Sequence, residues 1–305
     1  MSFPPNCMTA DESACRQDFL RDVHTLVRAT LPSMKRGVYL GHTNAKDHIM
    51  WQEASPMDFV ALKVASGRAG ALRPVPLVAI GLLDPATFNF KPDGGYKGPT
   101  GEYPTLEDVE LRAELRPSNH PDHARFLQES TDACRAVHDM MDAAPEAHDT
   151  FQCGCYGGGI SIRLRHQLFQ TLPRTNGDGS IIPEPEPRPG YEQFMTTAWP
   201  MSHEAADDEL QFETSTTNNI VPLPAYDVMG RLLGPAEYED ALSGAFVEVL
   251  FTVKHRRFRT RDDFSTFNID VVQINVLDPP PHTRSRKLPA LRQSPTLRER
   301  LAARV

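Results

Sequence analysis

A run of cations and aromatic side chains near the C-terminus has the residue types most suited to chemistry. The run KHRRFRTRDD carries Lys254, Arg256, Arg257, Arg259 and Arg261, with Phe258 between them and Phe264 just after them. Lysine and arginine neutralise phosphate groups, and an exposed aromatic ring stacks on a nucleobase. The run therefore favours contact with a single-stranded nucleic acid. The alternative is an ordinary exposed hairpin whose positive end prevents edge-to-edge aggregation or pairs with the acidic surface of the protein.

The residues on either side of this run predict a β-hairpin over 244–277. Before the run, the inward series is Ala245, Val247, Val249, Phe251 and Val253, with outward residues between its members. This period of two is typical of a strand with one face in a core. After the run, Phe267, Ile269 and Val271 alternate, and the phase then changes to Val272, Ile274 and Val276. A phase change of one residue predicts a β-bulge.

A second strand adds cations to the same predicted face. In the segment 160–168, the apolar positions are Ile160, Ile162, Leu164 and Leu168. Arg163 and Arg165 alternate with them and are predicted to point outward. We therefore include both arginines among the candidate nucleic-acid contacts.

The remaining patterns indicate a mainly β (α+β) fold, a curled sheet or small barrel with two or three peripheral helices and long insertions. Strands are predicted within 37–41, 59–65, 75–83 and 191–201. Helices are predicted over 11–31 and 121–144, with a short interrupted helix over 227–242. The segment 109–115 is either a strand with one solvated face or a helix that begins at Thr105. We expect an N-terminal helix in 1–36 packed on one domain over 37–278, followed by a basic disordered tail over 279–305.

The charge of the chain is unevenly placed. The net charge is −8, yet the last 24 residues hold seven basic residues and one acid, Glu299, so that this end carries +6 and the remainder −14. An acidic body argues against wholesale non-specific binding of nucleic acid but permits a local basic site. The cluster Arg284–Lys287 (RSRK) favours the nucleus. No signal pattern or membrane-length apolar run is present, so we expect an intracellular protein of the nucleus or cytoplasm, without contact to membrane.

No pattern in the sequence indicates a cofactor, a metal ion or a catalytic nucleophile. The five cysteines are an odd number, and Cys153 and Cys155 lie too close together for the usual redox or zinc spacing. His42, Asp47 and His48 fit a solvated turn better than a metal site, and His120 and His123 fit the start of a helix. A metal-dependent hydrolase is therefore a remote alternative, and catalytic and metal residues are predicted to be none.

Two insertions leave a further alternative open. The segment 85–104 holds Phe88, Phe90, Tyr96 and Tyr103, which either stack on bases or fix the loop to the protein body. The proline-rich segment 173–190 is predicted to be disordered or polyproline-like. A protein partner could bind this insertion or the basic tail. The alternative function is thus a non-enzymatic protein-interaction or structural module.

The hairpin resembles the last part of an OB-fold single-stranded-DNA-binding domain. The matching segments are 244–253 for the fourth strand, 254–263 for its basic loop and 264–277 for the last strand. The resemblance implies that the curled sheet or small barrel is OB-like and that the basic, aromatic loop contacts single-stranded DNA or RNA. The whole chain also looks similar to uncharacterised proteins of mushroom-forming fungi, which share an ending of VEVxFxxxH followed by F, I and VL. This resemblance implies no activity.

Overall fold

The protein is described by a computed structural model over nine segments of the chain. These are residues 17–18, 20–21, 37–63, 73–99, 104–145, 160–171, 190–211, 218–258 and 264–281, with only the backbone at Ala205, Phe258 and Phe264. The predictions for 151–159, for nearly all of the insertion 173–190 and for the tail after Pro281 lie outside these residues. Of the predicted helix over 11–31, residues 17, 18, 20 and 21 are described, and they are helical. The division into domains stays a prediction.

The described residues form one large mixed sheet and one small sheet. The strands are β1 (Val38–Tyr39), β2 (Ile49–Gln52), β3 (Asp58–Leu62), β4 (Leu77–Leu83), β5 (Glu110–Arg116), β6 (Ile162–Gln167), β7 (Phe169–Thr171), β8 (Asn218–Ile220), β9 (Ala225–Tyr226), β10 (Phe246–Phe258) and β11 (Phe264–Asp278). Nine of them make the large sheet, in the order β1-β4-β5-β6-β11-β10-β3-β2, with β9 added beside β11. The strands β7 and β8 pair separately. The prediction of a mainly β protein is confirmed.

Five strands of the large sheet are paired in a cycle that begins and ends at β4. From β4 they run to β5, β6, β11 and β10, and β10 then pairs with β4 along 246–251. The contact between β6 and β11 is parallel and joins Arg165 to Asp270, whereas β4–β5, β5–β6 and β10–β11 are antiparallel. Inward-facing residues of these five strands form one apolar core.

The hairpin β10–β11 follows the predicted pattern closely. Gly244 adopts a positive φ of 81°, which a residue without a Cβ tolerates, and it links the preceding helix to β10. Val247, Val249, Phe251 and Val253 are all buried. The register passes from Leu250↔Gln273 to Phe251↔Val271, so that Val272 is the additional residue of a bulge. The predicted change of phase is therefore confirmed, whereas Val272, which the sequence places in the same series as Ile274 and Val276, is 41% exposed.

A few helices cover the sheet. The α-helices are α1 (Leu127–Asp142), α2 (Glu204–Glu209) and α3 (Tyr238–Leu242), and 3-10 turns lie at Ala45–His48, Leu106–Asp108, Pro121–Phe126, Glu192–Phe194, Thr196–Ala198 and Pro235–Glu237. As its spacing predicts, α1 buries Cys134, Val137 and Met141 against the main core. Among the described residues, no helix is long and apolar enough to cross a membrane.

A smaller apolar cluster lies on the other side of β4 and β10. Leu20, Phe126, Phe246 and Leu277 are buried together in it. Beside it, His123 Nε2 contacts Asp278 Oδ2 at 2.7 Å, and His123 Nδ1 contacts Ser118 Oγ at 2.7 Å. The His123 ring also stacks on Phe246 with 3.9 Å between the ring centroids. These contacts fix the segment before α1 to the end of β11.

The structure corrects the predictions for two segments and decides between the two alternatives for a third. The segment 191–201 forms 3-10 turns and no strand. The predicted helix over 227–242 is α-helical only from Tyr238, because Asp227 Oδ1 accepts hydrogen bonds from the amides of Met229 and Arg231 and makes a turn instead. The two alternatives for 109–115 are resolved in favour of the strand, with a 3-10 turn before it.

The fold predicts an unequal cost for two substitutions in the hairpin. Phe251→Ala should lower the free energy of unfolding by about 3–5 kcal/mol, because Phe251 is fully buried in the main core. Val272→Ala is the matched control and should change it by no more than about 0.5 kcal/mol, because Val272 is 41% exposed at the bulge. Urea denaturation measures both values, and similar costs at the two positions would contradict this assignment of faces.

Candidate nucleic-acid interface

Successive side chains of the hairpin lie on opposite sides of the sheet. Lys254 pairs with Asn268 and Arg256 with Thr266, and both cations lie on the outward side. His255 pairs with Phe267 and Arg257 with Ser265 on the inward side. Directly paired residues of antiparallel strands share a face, so the outward side of the hairpin carries Lys254 and Arg256.

The neighbouring strands add three arginines to the same side. On β6, Arg163 is exposed and Arg165 half-buried, while Ile162 and Leu164 are in the core. On β5, Arg112 lies opposite Arg165, and Glu114 lies opposite Arg163. The Asp270–Arg165 pairing sets β6 beside β11, which brings these residues next to the hairpin. We call the outward residues Arg112, Arg163, Arg165, Lys254 and Arg256 the basic face.

Two carboxylates connect three cations of the basic face. Asp270 accepts from Arg165 Nε through Oδ1 at 2.7 Å and from Lys254 Nζ through Oδ2 at 2.8 Å. The other side of the Arg165 guanidinium donates through Nη1 to Glu110, which also accepts from Arg112 Nη2 at 3.2 Å. These five residues form the face ion network. Their side chains are 21–32% exposed, so water still reaches them.

The basic face carries a small positive charge on an acidic protein. Its five cations stand against the carboxylates of Glu110, Glu114 and Asp270, which gives a local charge of +2 in a chain of −8. A local positive charge of this kind on an acidic protein favours the approach of an anion at that face over the acidic parts of the surface. His166, which follows Arg165 and points inward, adds no charge. Its burial lowers the pKa of the imidazole, and its Nε2–H donates to Val221 O at 2.7 Å.

The inward side of the hairpin holds a different, buried ion pair. Asp58 on β3 is 1% exposed, and its carboxylate contacts His255 Nδ1 at 3.3 Å and Arg257 Nη2 at 3.4 Å. The amide of Ala54 also donates to Asp58 Oδ1 at 3.0 Å. The imidazole of His255 stacks on Phe267 with 4.7 Å between the ring centroids. We call Asp58, His255 and Arg257 the hairpin anchor, because they join β10 to β3 where the hairpin extends beyond β4.

The candidate residues therefore fall into three groups. Lys254, Arg256, Arg163 and Arg165 lie together on the basic face. Arg257 lies on the opposite side of β10, in the hairpin anchor. The backbone of Phe258 pairs with that of Phe264, and Arg259 and Arg261 lie outside the described residues.

Arg112, Glu110 and Asp270 were missed by reasoning from the sequence. The alternation of charged and apolar residues over 109–115 predicts that Glu110, Arg112 and Glu114 share an outward face. That pattern could have identified Arg112, had β5 been placed beside β6. Asp270 is one acid within a β-branched strand, and the sequence alone does not reveal which cations reach it.

The aromatic residues of the loop after β4 serve the body of the protein. Phe90 and Tyr96 are buried, and the Tyr96 hydroxyl donates to Glu209 Oε2 at 2.8 Å. Phe88 is half-buried, and its ring meets that of Phe90 edge-on with 5.7 Å between the centroids. Of the two alternatives for this insertion, fixation to the body is confirmed for these three residues, while Tyr103 lies outside the described residues.

The candidate histidines separate into exposed and structural groups. His42 and His48 are exposed around a 3-10 turn, whereas His123 is buried between Ser118 and Asp278. Within the described segments, no three His, Cys, Asp or Glu side chains are grouped so that they could hold a metal ion. The predicted partner-binding insertion and the RSRK cluster lie outside those segments.

No protein-family model and no curated protein sequence matches the chain. Among solved structures, the chain is similar to gp2.5, a single-stranded DNA binding protein encoded by bacteriophage T7. The sequence identity is 11% and the TM-score 0.30, over 70% of this chain and 96% of that chain. At this sequence identity and TM-score, the similarity is evidence for neither the fold nor the function of this protein. The expected similarity to fungal proteins is not shown by these comparisons.

Adjacent arginines of β10 should respond differently to truncation. Arg257→Ala should lower the free energy of unfolding by roughly 1–3 kcal/mol, because the buried carboxylate of Asp58 loses a charged donor. Arg256→Ala is the matched control on the exposed side and should cost no more than about 0.5 kcal/mol. Chemical denaturation of both variants measures the difference. Equal costs at the two positions would contradict the assignment of Arg257 to the hairpin anchor.

Proposed function

We propose that this protein binds single-stranded nucleic acid, DNA or RNA, across its basic face. The observation that carries the proposal is the meeting of cations from three strands on one side of the sheet. Arg112 of β5, Arg165 of β6 and Lys254 of β10 are linked through shared carboxylates, and the exposed Arg163 and Arg256 extend this set along their strands. Neutralisation of several phosphates at once supplies most of the affinity of such proteins.

The proposal includes an OB-like arrangement of the five strands β4, β5, β6, β11 and β10. Three features support it: the return of the pairings to β4, the antiparallel succession β4–β5–β6, and the parallel contact of β6 with β11. Oligonucleotides bind OB-folds on the face of the second and third strands and at the loops that follow the first and fourth strands. Counted from β4, the second and third strands are β5 and β6, which carry Arg112, Arg163 and Arg165. The loop after the fourth strand is the basic one, 259–263.

The roles that we propose for the residues at the end of the hairpin follow from their residue types. We assign phosphate neutralisation to Arg259 and Arg261 and base stacking to Phe258, because an aromatic ring offers a sequence-tolerant contact to a base. Arg257 is assigned to holding the hairpin in place, because its guanidinium pairs with the buried Asp58. A ligand would thus extend from the hairpin end, past Arg256 and Lys254, onto β6 and β5.

Removal of two exposed arginines tests the proposed face. The double variant Arg163→Ala/Arg256→Ala should reduce the magnitude of the slope of log K against log[salt] by about 1.4, since each lost phosphate contact contributes about 0.7 for a single strand. The measurement is a fluorescence titration with a labelled oligonucleotide between about 50 and 200 mM salt.

The matched control removes two arginines from helices. Arg21 and Arg135 are exposed and pair with acids three residues away along their own helices. The double variant Arg21→Ala/Arg135→Ala should leave the slope within about 0.3 of the intact protein, because only contacting cations release counterions. Equal changes in the two double variants would show that overall charge, and not the basic face, determines binding.

Truncation of the aromatic side chain separates stacking from charge. Phe258→Ala should weaken binding by roughly 1–3 kcal/mol while the salt slope stays nearly constant, because stacking releases no counterions. The same titration measures both quantities. Unchanged affinity would remove Phe258 from the interface, and a changed slope would mean that the substitution disturbs the neighbouring cations.

A further inference from the structure

Asp270 occupies a position that a ligand phosphate would be expected to take. It lies on β11, between β6 and β10, and its two oxygens accept from cations of those two strands, Arg165 and Lys254. Glu110 on β5 also joins two cations, Arg165 of the neighbouring β6 and Arg112 two residues along β5 itself. A carboxylate and a phosphate offer arginine the same kind of charged acceptor, often in the same two-pronged geometry.

The partial exposure of these carboxylate–cation pairs indicates that a phosphate can replace the carboxylate as the partner of each cation. The side chains of the face ion network are 21–32% exposed, and partly solvated ion pairs contribute little net stability. Replacement of Asp270 by a phosphate at Arg165 and Lys254 therefore leaves the carboxylate in contact with water. The hairpin anchor is the contrasting case, because Asp58 is 1% exposed and release of Arg257 would leave its charge buried.

We propose that Asp270 and Glu110 are built-in competitors of the phosphate backbone, an inference that rests on the proposed function. In the ligand-free protein they hold Arg165, Lys254 and Arg112 extended on the sheet face. During binding they oppose each phosphate that approaches these cations. An isolated anion that meets one cation does not overcome this opposition, whereas a single strand that meets several cations at once does. The two acids thereby restrict binding to polyanions that span the face.

Neutralisation of each acid with retention of its shape tests this role. Asp270→Asn and Glu110→Gln should each bind a single-stranded oligonucleotide about fivefold more tightly near 50 mM salt. That factor corresponds to about 1 kcal/mol, the interaction of two unit charges about 4 Å apart in water. Each variant should also increase the magnitude of the salt slope by about 0.7, since one more phosphate then releases its counterions. The double variant should bind more tightly than either single variant, but its effect should differ from their sum, because both acids pair with Arg165.

Asp132→Asn is the matched control. Asp132 is an exposed acid that pairs with Arg135 within α1, so this variant makes the same change of charge away from the sheet. It should leave both affinity and slope nearly unchanged. Circular-dichroism melting of each variant verifies that the proteins compared are folded. If either Asp270→Asn or Glu110→Gln is unstable, the other variant still tests the inference.

The outcomes distinguish this inference from the proposed function. If the intact protein binds and the Asp270 and Glu110 variants bind no more tightly than the Asp132 variant, the competitor role is wrong and the proposed function stands. Weaker binding by both variants would assign the acids to positioning alone and would also overturn the inference. If neither the intact protein nor any variant binds at about 50 mM salt, the proposed function fails and the inference fails with it.

Discussion

The backbone pairing of one long hairpin determines where every candidate side chain lies. β10 pairs with β11 along its length and, on its other edge, with β4 and then β3, while β11 pairs on its far edge with β6 and β9. Because side chains alternate along each strand, this pairing fixes both the core and the outward face. A shift of one residue would place His255 and Phe267 in water and Lys254 in the core. The bulge at Val272 keeps both halves of β11 in phase with the core.

The hairpin carries charged pairs of two kinds, and burial separates their roles. Asp58 is almost fully buried beneath His255 and Arg257, so its partners cannot leave without a large desolvation cost, and the hairpin is held against β3. Asp270 and Glu110 are partly solvated, and the proposed exchange of these carboxylates for phosphates rests on that exposure. One strand thus alternates between Arg257, which lies in the buried hairpin anchor, and Lys254 and Arg256, which lie outward on the basic face. The sheet extends this second set through Arg163, Arg165 and Arg112.

Reasoning from the sequence succeeded where a pattern is local. The period of two in β10 and β11 predicted the inward residues and the bulge, and the same period in β6 predicted that Arg163 points outward. The short strands β2, β8 and β9 were missed, because two to four residues hold too little periodicity to be recognised. Arg257 was expected at an exposed hairpin end, whereas Asp58 reaches it from 199 positions away in the sequence. Such long-range ion pairs, including those of Asp270, are determined by the order of strands in the sheet.

The central claim is that the intact protein binds single strands through phosphate contacts on the basic face. Its most direct test is a fluorescence titration of the intact protein with single-stranded DNA and RNA oligonucleotides between about 50 and 200 mM salt. We expect binding near 50 mM that weakens linearly in log K against log[salt], with a slope of about 0.7 for each phosphate contacted. Absence of binding to both DNA and RNA at about 50 mM salt, where electrostatic attraction is strong, would contradict the claim.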